Sequence, residues 1–151
     1  MTEEEFEVET KMHINHVRRY LYLMAKELLE RAENHDASKL AEPERATFLE
    51  FTPKLKETTY GSDEYKKYLK QMQVALDHHY AKNSHHPEHF ENGIDGMTLI
   101  DLFELLADWK SATKRHDDGD IMKSIEQNTE RFNLSPQLVS ILKNTVNVLG
   151  E

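Results

Sequence analysis

The chain has 151 residues, 38% hydrophobic and 31% charged, and its 28 acidic residues outnumber its 19 Lys and Arg for a net charge of −9. This length fits one domain over residues 1–151, and so acidic a surface argues against duplex nucleic acid as a partner, because binding there depends on phosphate neutralisation. The absence of cysteine excludes disulfides and thiolate metal sites, and no apolar run approaches the ~20 residues that span a bilayer, so we expect a cytoplasmic protein without membrane contact.

Apolar residues recur at helical spacing almost throughout, which predicts an all-α fold of five to seven helices. A first helix is expected at about residues 4–33, with His16 on its apolar stripe. A second is expected near 40–50, followed by a looser segment at 52–61. Ser62 caps a third helix at about 63–82, and His79 lies on its stripe.

A histidine-containing loop is expected at 83–97, before a helix that Thr98 opens and that extends to about residue 116. Asp101, Glu104 and Asp108 share one side of that helix at positions i, i+3 and i+7. Two further helices are expected at about 120–131 and 136–148, the last with Pro136 at its first position. The last helix has an apolar stripe that is a candidate surface for homodimer formation. It consists of Leu138, Val139, Ile141, Leu142, Val146 and Leu149.

The chain contains nine histidines, and five of them lie in the segment HHYAKNSHHPEH at 78–89. Helical proteins build divalent metal sites from inward-facing imidazoles and carboxylates on several helices. A shared ion would also satisfy such groups where they are buried. The candidate metal ligands are His16, His35, Asp36, His78, His79 and Asp108.

Four segments, taken in order, resemble the HD-domain metal-dependent phosphohydrolases: HVRRY at 16–20, NHDASK at 34–39, LDHHYAKNSHHPEHF at 76–90 and LLADWKSAT at 105–113. They match that superfamily's opening histidine, its His-Asp-x-x-Lys signature, the paired histidines of one subgroup, and the helix with the last Asp ligand. The resemblance implies an HD-like helical bundle and an enzyme that hydrolyses a phosphate ester or anhydride, with a nucleotide as the expected substrate.

The resemblance also implies roles for individual residues. His16, His35, Asp36 and Asp108 would hold the principal metal, and His78 and His79 would complete a second site or touch the substrate. Asp36 would orient the attacking water, with Lys39 balancing charge on the phosphoryl oxygens and His86 protonating the leaving group. The substrate would contact Arg18, Arg19, Lys39, His85 and His89. One or two ions are expected, with Mn, Co, Ni, Fe or Zn favoured over Mg by the mixed His and Asp donors.

Several alternatives remain open from the sequence. Asp101 fits a capping box with Thr98, so Asp108 ranks above it as the last ligand, and Glu104 could equally partner a Lys or Arg. A helical di-iron oxygenase is a rival enzyme, although its Glu-x-x-His pairs have only the adjacent Glu88-His89 as a counterpart. A relative that binds a nucleotide or a protein without turnover is the non-enzymatic rival.

Overall fold

The computed structural model describes residues 1–59, 61–114 and 119–150, and in these ranges it contains seven α-helices and no strand. This confirms the all-α prediction of five to seven helices. The expected end of the fifth helix, at residues 115–116, lies outside the described residues. The helices are α1 (Glu3–Asn34), α2 (Glu44–Glu57), α3 (Asp63–Gln71), α4 (Gln73–Lys82), α5 (Leu99–Thr113), α6 (Ile121–Phe132) and α7 (Pro136–Leu149).

The described chain divides into two compact units, residues 1–34 and 35–151. The first unit is α1 alone, whose N-terminus carries three consecutive acids that suit the positive end of the helix dipole. A single helix has no core of its own, so the apolar stripe predicted on α1 stays untested. The expectation of one domain over residues 1–151 likewise stays a prediction. None of the described helices is both long and apolar enough to cross a bilayer.

The second unit has its main hydrophobic core between α5, α6 and α7. Leu105 and Leu106 of α5 meet Ile125 of α6 and Leu142 of α7, all with at most 4% of their surface exposed. The apolar stripe proposed for a homodimer on α7 therefore packs in part inside this core. Pairing of two chains through its remaining residues stays a prediction.

The other part of this unit consists of α2, α3 and α4, and it corrects two expectations. The single helix expected at 63–82 is divided at Met72, whose N–H bonds back to the carbonyl of Tyr68 and whose side chain is 1% exposed. The looser segment expected at 52–61 is instead helical to Glu57, because α2 continues through Pro53 while Phe51 is buried. Packing overrides the local signals in both places.

The helix starts follow the capping rules. Ser62, Asp120 and Ser135 each accept a backbone N–H at the start of a helix. Thr98 and Asp101 form the reciprocal capping box predicted for α5. These caps fix the start of α5, the helix that carries Glu104 and Asp108.

Replacing Ile125 by Ala should lower the free energy of unfolding by about 2–5 kcal/mol, because it leaves a cavity in the core of α5, α6 and α7. Denaturant unfolding followed by circular dichroism measures this change. Ile141→Ala is the matched control, since Ile141 is 51% exposed and should cost less than about 1 kcal/mol. Equal losses for the two variants would contradict this placement of the core.

Candidate metal centre

A tight turn presents the carboxylate of Asp36. After α1 ends at Asn34, Asp36 adopts a left-handed backbone with φ 55° and ψ 14°, a conformation that Asp tolerates better than most residues. A 3₁₀ turn over Ala37–Leu40 follows. Within it Lys39 donates twice to Asp36, from its backbone N–H to the carbonyl at 2.9 Å and from Nζ to Oδ2 at 2.6 Å. The carboxylate is therefore held at both its backbone and its side chain.

Three imidazoles turn their Nε2 atoms toward this carboxylate. The Nε2 atoms of His79 and His85 lie 3.3 and 3.6 Å from Oδ1 of Asp36. The Nε2 atom of His35 lies 3.5 Å from Oδ2. A divalent ion binds imidazole nitrogen at about 2.0–2.1 Å, so neighbouring donor atoms around one ion lie roughly 3.0–3.4 Å apart. The observed spacings are close to that value and longer than good hydrogen bonds.

Two of these atoms are buried without a hydrogen-bond partner among the described residues. They are Oδ1 of Asp36 and Nε2 of His85, and they face each other at 3.6 Å. Leaving such an atom unsatisfied costs about 1–3 kcal/mol. Because both atoms can donate a lone pair to a cation placed between them, one divalent ion would satisfy the two together. The residues present therefore fit a metal ion.

Glu44 orients one of the imidazoles from behind. Its carboxylate is 0% exposed and accepts from Nδ1 of His79 at 2.9 Å, from Nδ1 of His78 at 2.7 Å and from Ser38 Oγ at 3.1 Å. Burial opposes ionisation, but the hydrogen bonds from His78, Ser38 and His79 lower the pKa of Glu44. A proton held on Nδ1 of His79 leaves the Nε2 lone pair directed at Asp36, as in metal sites where a carboxylate fixes the histidine tautomer.

Glu104 does the same for the other two imidazoles. Its Oε1 lies 2.9 Å from Nδ1 of His35 and 3.1 Å from Nδ1 of His85. Asp101, one turn earlier on α5, is 2% exposed and accepts from Ser84 Oγ at 2.6 Å, which fixes the loop that carries His85. Each of the three Nε2 atoms around Asp36 therefore belongs to a ring whose Nδ1 is held by a glutamate.

His86 joins the cluster from the same loop. Its Nε2 lies 2.9 Å from Nε2 of His79, and its ring centroid is 4.1 Å from that of His85. Burial, as the largest cause, together with the neighbouring His85 and His79 lowers the pKa of His86 to about 3. The ring is therefore neutral near pH 7, the state in which imidazole binds a metal.

The acidic and basic groups of the cluster shift each other's pKa values. The hydrogen bond with Asp108 is the largest cause that raises the pKa of His35, and the one with Glu104 is the next. Together they raise it to about 10 although burial acts to lower it. Burial opposes ionisation of Asp36 and of Asp108, yet adjacent cationic and imidazole groups lower the pKa of both carboxyls. In the absence of a cation, a proton on His35 thus provides the positive charge between these carboxylates.

The donor atoms form three overlapping groups, each with its atoms within 4.8 Å of one another. Asp36 belongs to two of them, so its carboxylate lies within reach of both groups. The third group contains His35, His85 and Glu104. It corresponds to the contacts between the Glu104 carboxylate and the Nδ1 atoms of the two histidines. The groups are Asp36, His79, His85 and His86; His35, Asp36 and Asp108; and His35, His85 and Glu104.

Four of the predicted ligands thus come together: His35, Asp36, His79 and Asp108. His85 and His86, predicted to contact substrate and to protonate the leaving group, lie among the donor groups as well. His78 belongs to none of the three groups of described residues and bonds to Glu44 instead.

The remaining predicted residues lie outside these groups. Nδ1 of the exposed His89 donates to the carbonyl of Tyr80 at 2.7 Å. His16, Arg18 and Arg19 are on α1, in the other unit, and their roles stay predictions.

Sequence reasoning missed the part that Glu44 and Glu104 play. Glu104 was considered as a partner for Lys or Arg, whereas it contacts two histidines. Its place one turn before Asp108 was a usable signal, because residues four apart share a helix face. Glu44 carried no comparable signal, since it is one of 28 acids and meets its histidines across 34 and 35 residues.

Changing Glu44 to Gln should weaken Zn²⁺ binding by about 10–100-fold, because the amide no longer enforces a proton on Nδ1 of His79. Competition with a chromophoric chelator measures the affinity, and circular dichroism verifies the fold. Glu42→Gln, at an exposed position nearby, should leave the affinity unchanged. An unchanged affinity in Glu44→Gln would contradict the orienting role.

Metal binding should release about one proton per chain at pH 7. His35, with its pKa raised to about 10, is protonated there, and the cation needs its Nε2 lone pair. Affinity should therefore rise with pH, by up to about tenfold per unit, until His35 deprotonates by itself. Calorimetry in buffers of different ionisation enthalpy counts the protons.

His35→Ala should abolish this release, whereas His89→Ala should retain it. A binding enthalpy that is the same in every buffer would contradict the assignment of His35 as a ligand.

A family model matches the chain over residues 2–148, and its description is a family of unknown function, DUF5662. No curated protein and no solved structure shows significant similarity to the chain. The match spans α1, the turn with Asp36, the histidine loop and the helices that carry Glu104 and Asp108. With almost the whole length matched, the chain belongs to the DUF5662 family of unknown function.

Proposed function

We propose that the protein is a metal-dependent phosphohydrolase that cleaves a phosphate ester or anhydride. The observation that carries the proposal is the carboxylate of Asp36 shared between two groups of donor atoms. Two ions about 3.5–4 Å apart are a common arrangement for displacement at phosphorus. A nucleotide is the substrate class that the resemblance to HD-domain phosphohydrolases favours, and a small phosphorylated molecule in the cytoplasm is the partner we expect.

The donor chemistry narrows the choice of metal. Imidazole and carboxylate together suit Mn, Co, Ni, Fe or Zn, whereas Mg prefers an all-oxygen shell. His79, His85 and His86 with Asp36 would hold one ion, and His35, Asp36 and Asp108 a second. When bound, a divalent ion supplies Lewis-acid activation of water and of the phosphoryl oxygens.

The surrounding side chains supply charge and position. Lys39 holds Asp36 in place and, with 32% of its side chain exposed, its ammonium can also face a phosphoryl oxygen at the edge of the cluster. Asp36 accepts from Lys39 on one oxygen and keeps the other for the centre. His86 was expected to protonate the leaving oxygen, but a pKa lowered to about 3 favours a ligand role over that of an acid.

Metal-reconstituted protein should hydrolyse at least one member of a panel of nucleotides and simple phosphoesters, and a chelator should abolish the activity. Asp36→Asn should lower kcat/KM by about a hundredfold or more, because it weakens both donor groups at once. Asp95→Asn, an exposed acid in the turn over Gly93–Gly96, is the matched control and should retain activity.

Three results would contradict the proposal. Metal binding without turnover of any phosphoester would favour the non-catalytic relative. Oxygen consumption by the iron-loaded protein would favour the di-iron rival. Full activity in Asp36→Asn would remove the shared carboxylate from the reaction.

A further inference from the structure

A cavity of about 270 Å³ opens beside the candidate metal centre, between α4, α5, α6 and the histidine loop. Its lining includes His86 and Asp108. These two residues come from the two donor groups that share Asp36. The cavity therefore borders the candidate metal centre, where a phosphoryl group would be held under the proposed function.

Three large aromatic side chains contribute to the walls of the cavity. Tyr80, Trp109 and Phe132 line it, and the last two rings are nearly parallel, at 7° and with centroids 6.3 Å apart. Side-chain amides of α6, from Gln127 and Asn128, also line it. Flat apolar surface with a few uncharged hydrogen-bonding groups suits a ring that carries polar edges.

The charges around the cavity argue against a second phosphate. Glu88 and Asp108 contribute two carboxylates to the lining. The guanidinium of Arg131 meets Glu88 at 2.8 Å and lies 4.6 Å from the Phe132 ring centroid, so its charge is already balanced. Arg131 and Glu88 thus cancel each other's charge, and further phosphates of a di- or triphosphate would meet the carboxylate of Asp108 with no unpaired cation among the described lining residues.

The volume limits the part of a ligand that the cavity can enclose. Sites for drug-sized molecules usually measure about 300–1,000 Å³, and this cavity lies just below that range. It has space for one compact group and not for two linked nucleotides.

We propose that this cavity binds the leaving group of the substrate, and that the substrate is a phosphate monoester of a compact, uncharged ring alcohol. This inference rests on the proposed function, since it takes the metal centre as the place of the phosphoryl group. It goes further by selecting monoesters of one compact ring-bearing alcohol, such as a single nucleoside, over linear polyphosphates, dinucleotides and ring-free esters.

Trp109 allows a test that does not require turnover. It lines the cavity and is the single tryptophan of the chain, so its fluorescence reports occupancy there. The probe is 4-nitrobenzylphosphonate, whose C–P bond resists hydrolysis and whose nitroaromatic ring quenches indole emission. Methylphosphonate is the ring-free competitor. Both are titrated into the chain with and without Zn²⁺.

Ala112→Leu on α5 and Ser124→Leu on α6 reduce the cavity from two different helices, and Ala107→Leu on the exposed side of α5 is the control. The nitrobenzyl probe should quench Trp109, and either cavity variant should weaken its binding by about tenfold or more. Methylphosphonate, measured by calorimetry, should bind all four proteins alike. Two cavity variants keep the test valid if one of them fails to fold.

The possible failures are distinguishable. Quenching that is lost in the cavity variants supports the cavity as the ring site even if no phosphoester is turned over, in which case the proposed function fails alone. The cavity assignment alone is overturned if turnover depends on metal but probe affinity and ring preference are unchanged in Ala112→Leu and Ser124→Leu. Absence of any quenching by the nitrobenzyl probe also overturns it.

Discussion

The partly buried carboxylate of Asp36, whose Oδ1 atom is fully buried, is the group around which the candidate centre is arranged. Lys39 neutralises one of its oxygens at 2.6 Å, while the other faces two imidazole nitrogens at 3.3 and 3.6 Å without a hydrogen bond. Neutral imidazoles with their lone pairs inward cannot satisfy this oxygen, because they would have to donate to it. A cation removes the conflict, since all these atoms can then be donors of electron pairs to one ion.

Two glutamates make that arrangement specific. Glu44 and Glu104 hold the Nδ1 atoms of three histidines, so the three Nε2 atoms are fixed before any ligand arrives. Each glutamate lies on a different helix, α2 or α5. The fold of the second unit thus determines the chemistry of the site through the packing of these helices, and the same packing places the Trp109 cavity beside it.

Local patterns in the sequence were sufficient for the all-α fold class and for part of the site. Helical spacing predicted the all-α fold, and the stripe that ends at His79 agrees with its 2% exposure. No Gly or Pro marks the division between α3 and α4 at Met72. Pro53 suggests a helix break, but α2 continues through it while the neighbouring Phe51 is buried. Local signals of this kind are weak where tertiary contacts compete.

The contacts of Glu44 and Glu104 could not be predicted from the sequence for a different reason. Glu104 reaches His35 across 69 residues, and no local pattern encodes such a pairing. The histidines at 78–89 suggested chemistry, but their spacing did not show that His85 and His86 lie among the candidate donor atoms while His78 bonds to Glu44. The roles that the resemblance implied for His16, Arg18 and Arg19 of α1 stay predictions, because these residues belong to the other unit.

Anomalous diffraction from a crystal grown with Zn²⁺ tests the central claim most directly. We expect a peak about 2.0–2.2 Å from Oδ1 of Asp36 and from Nε2 of His79 and His85. A fully occupied Zn²⁺ elsewhere in the chain, with Asp36 Oδ1 instead accepting a hydrogen bond from an imidazole, would contradict the account.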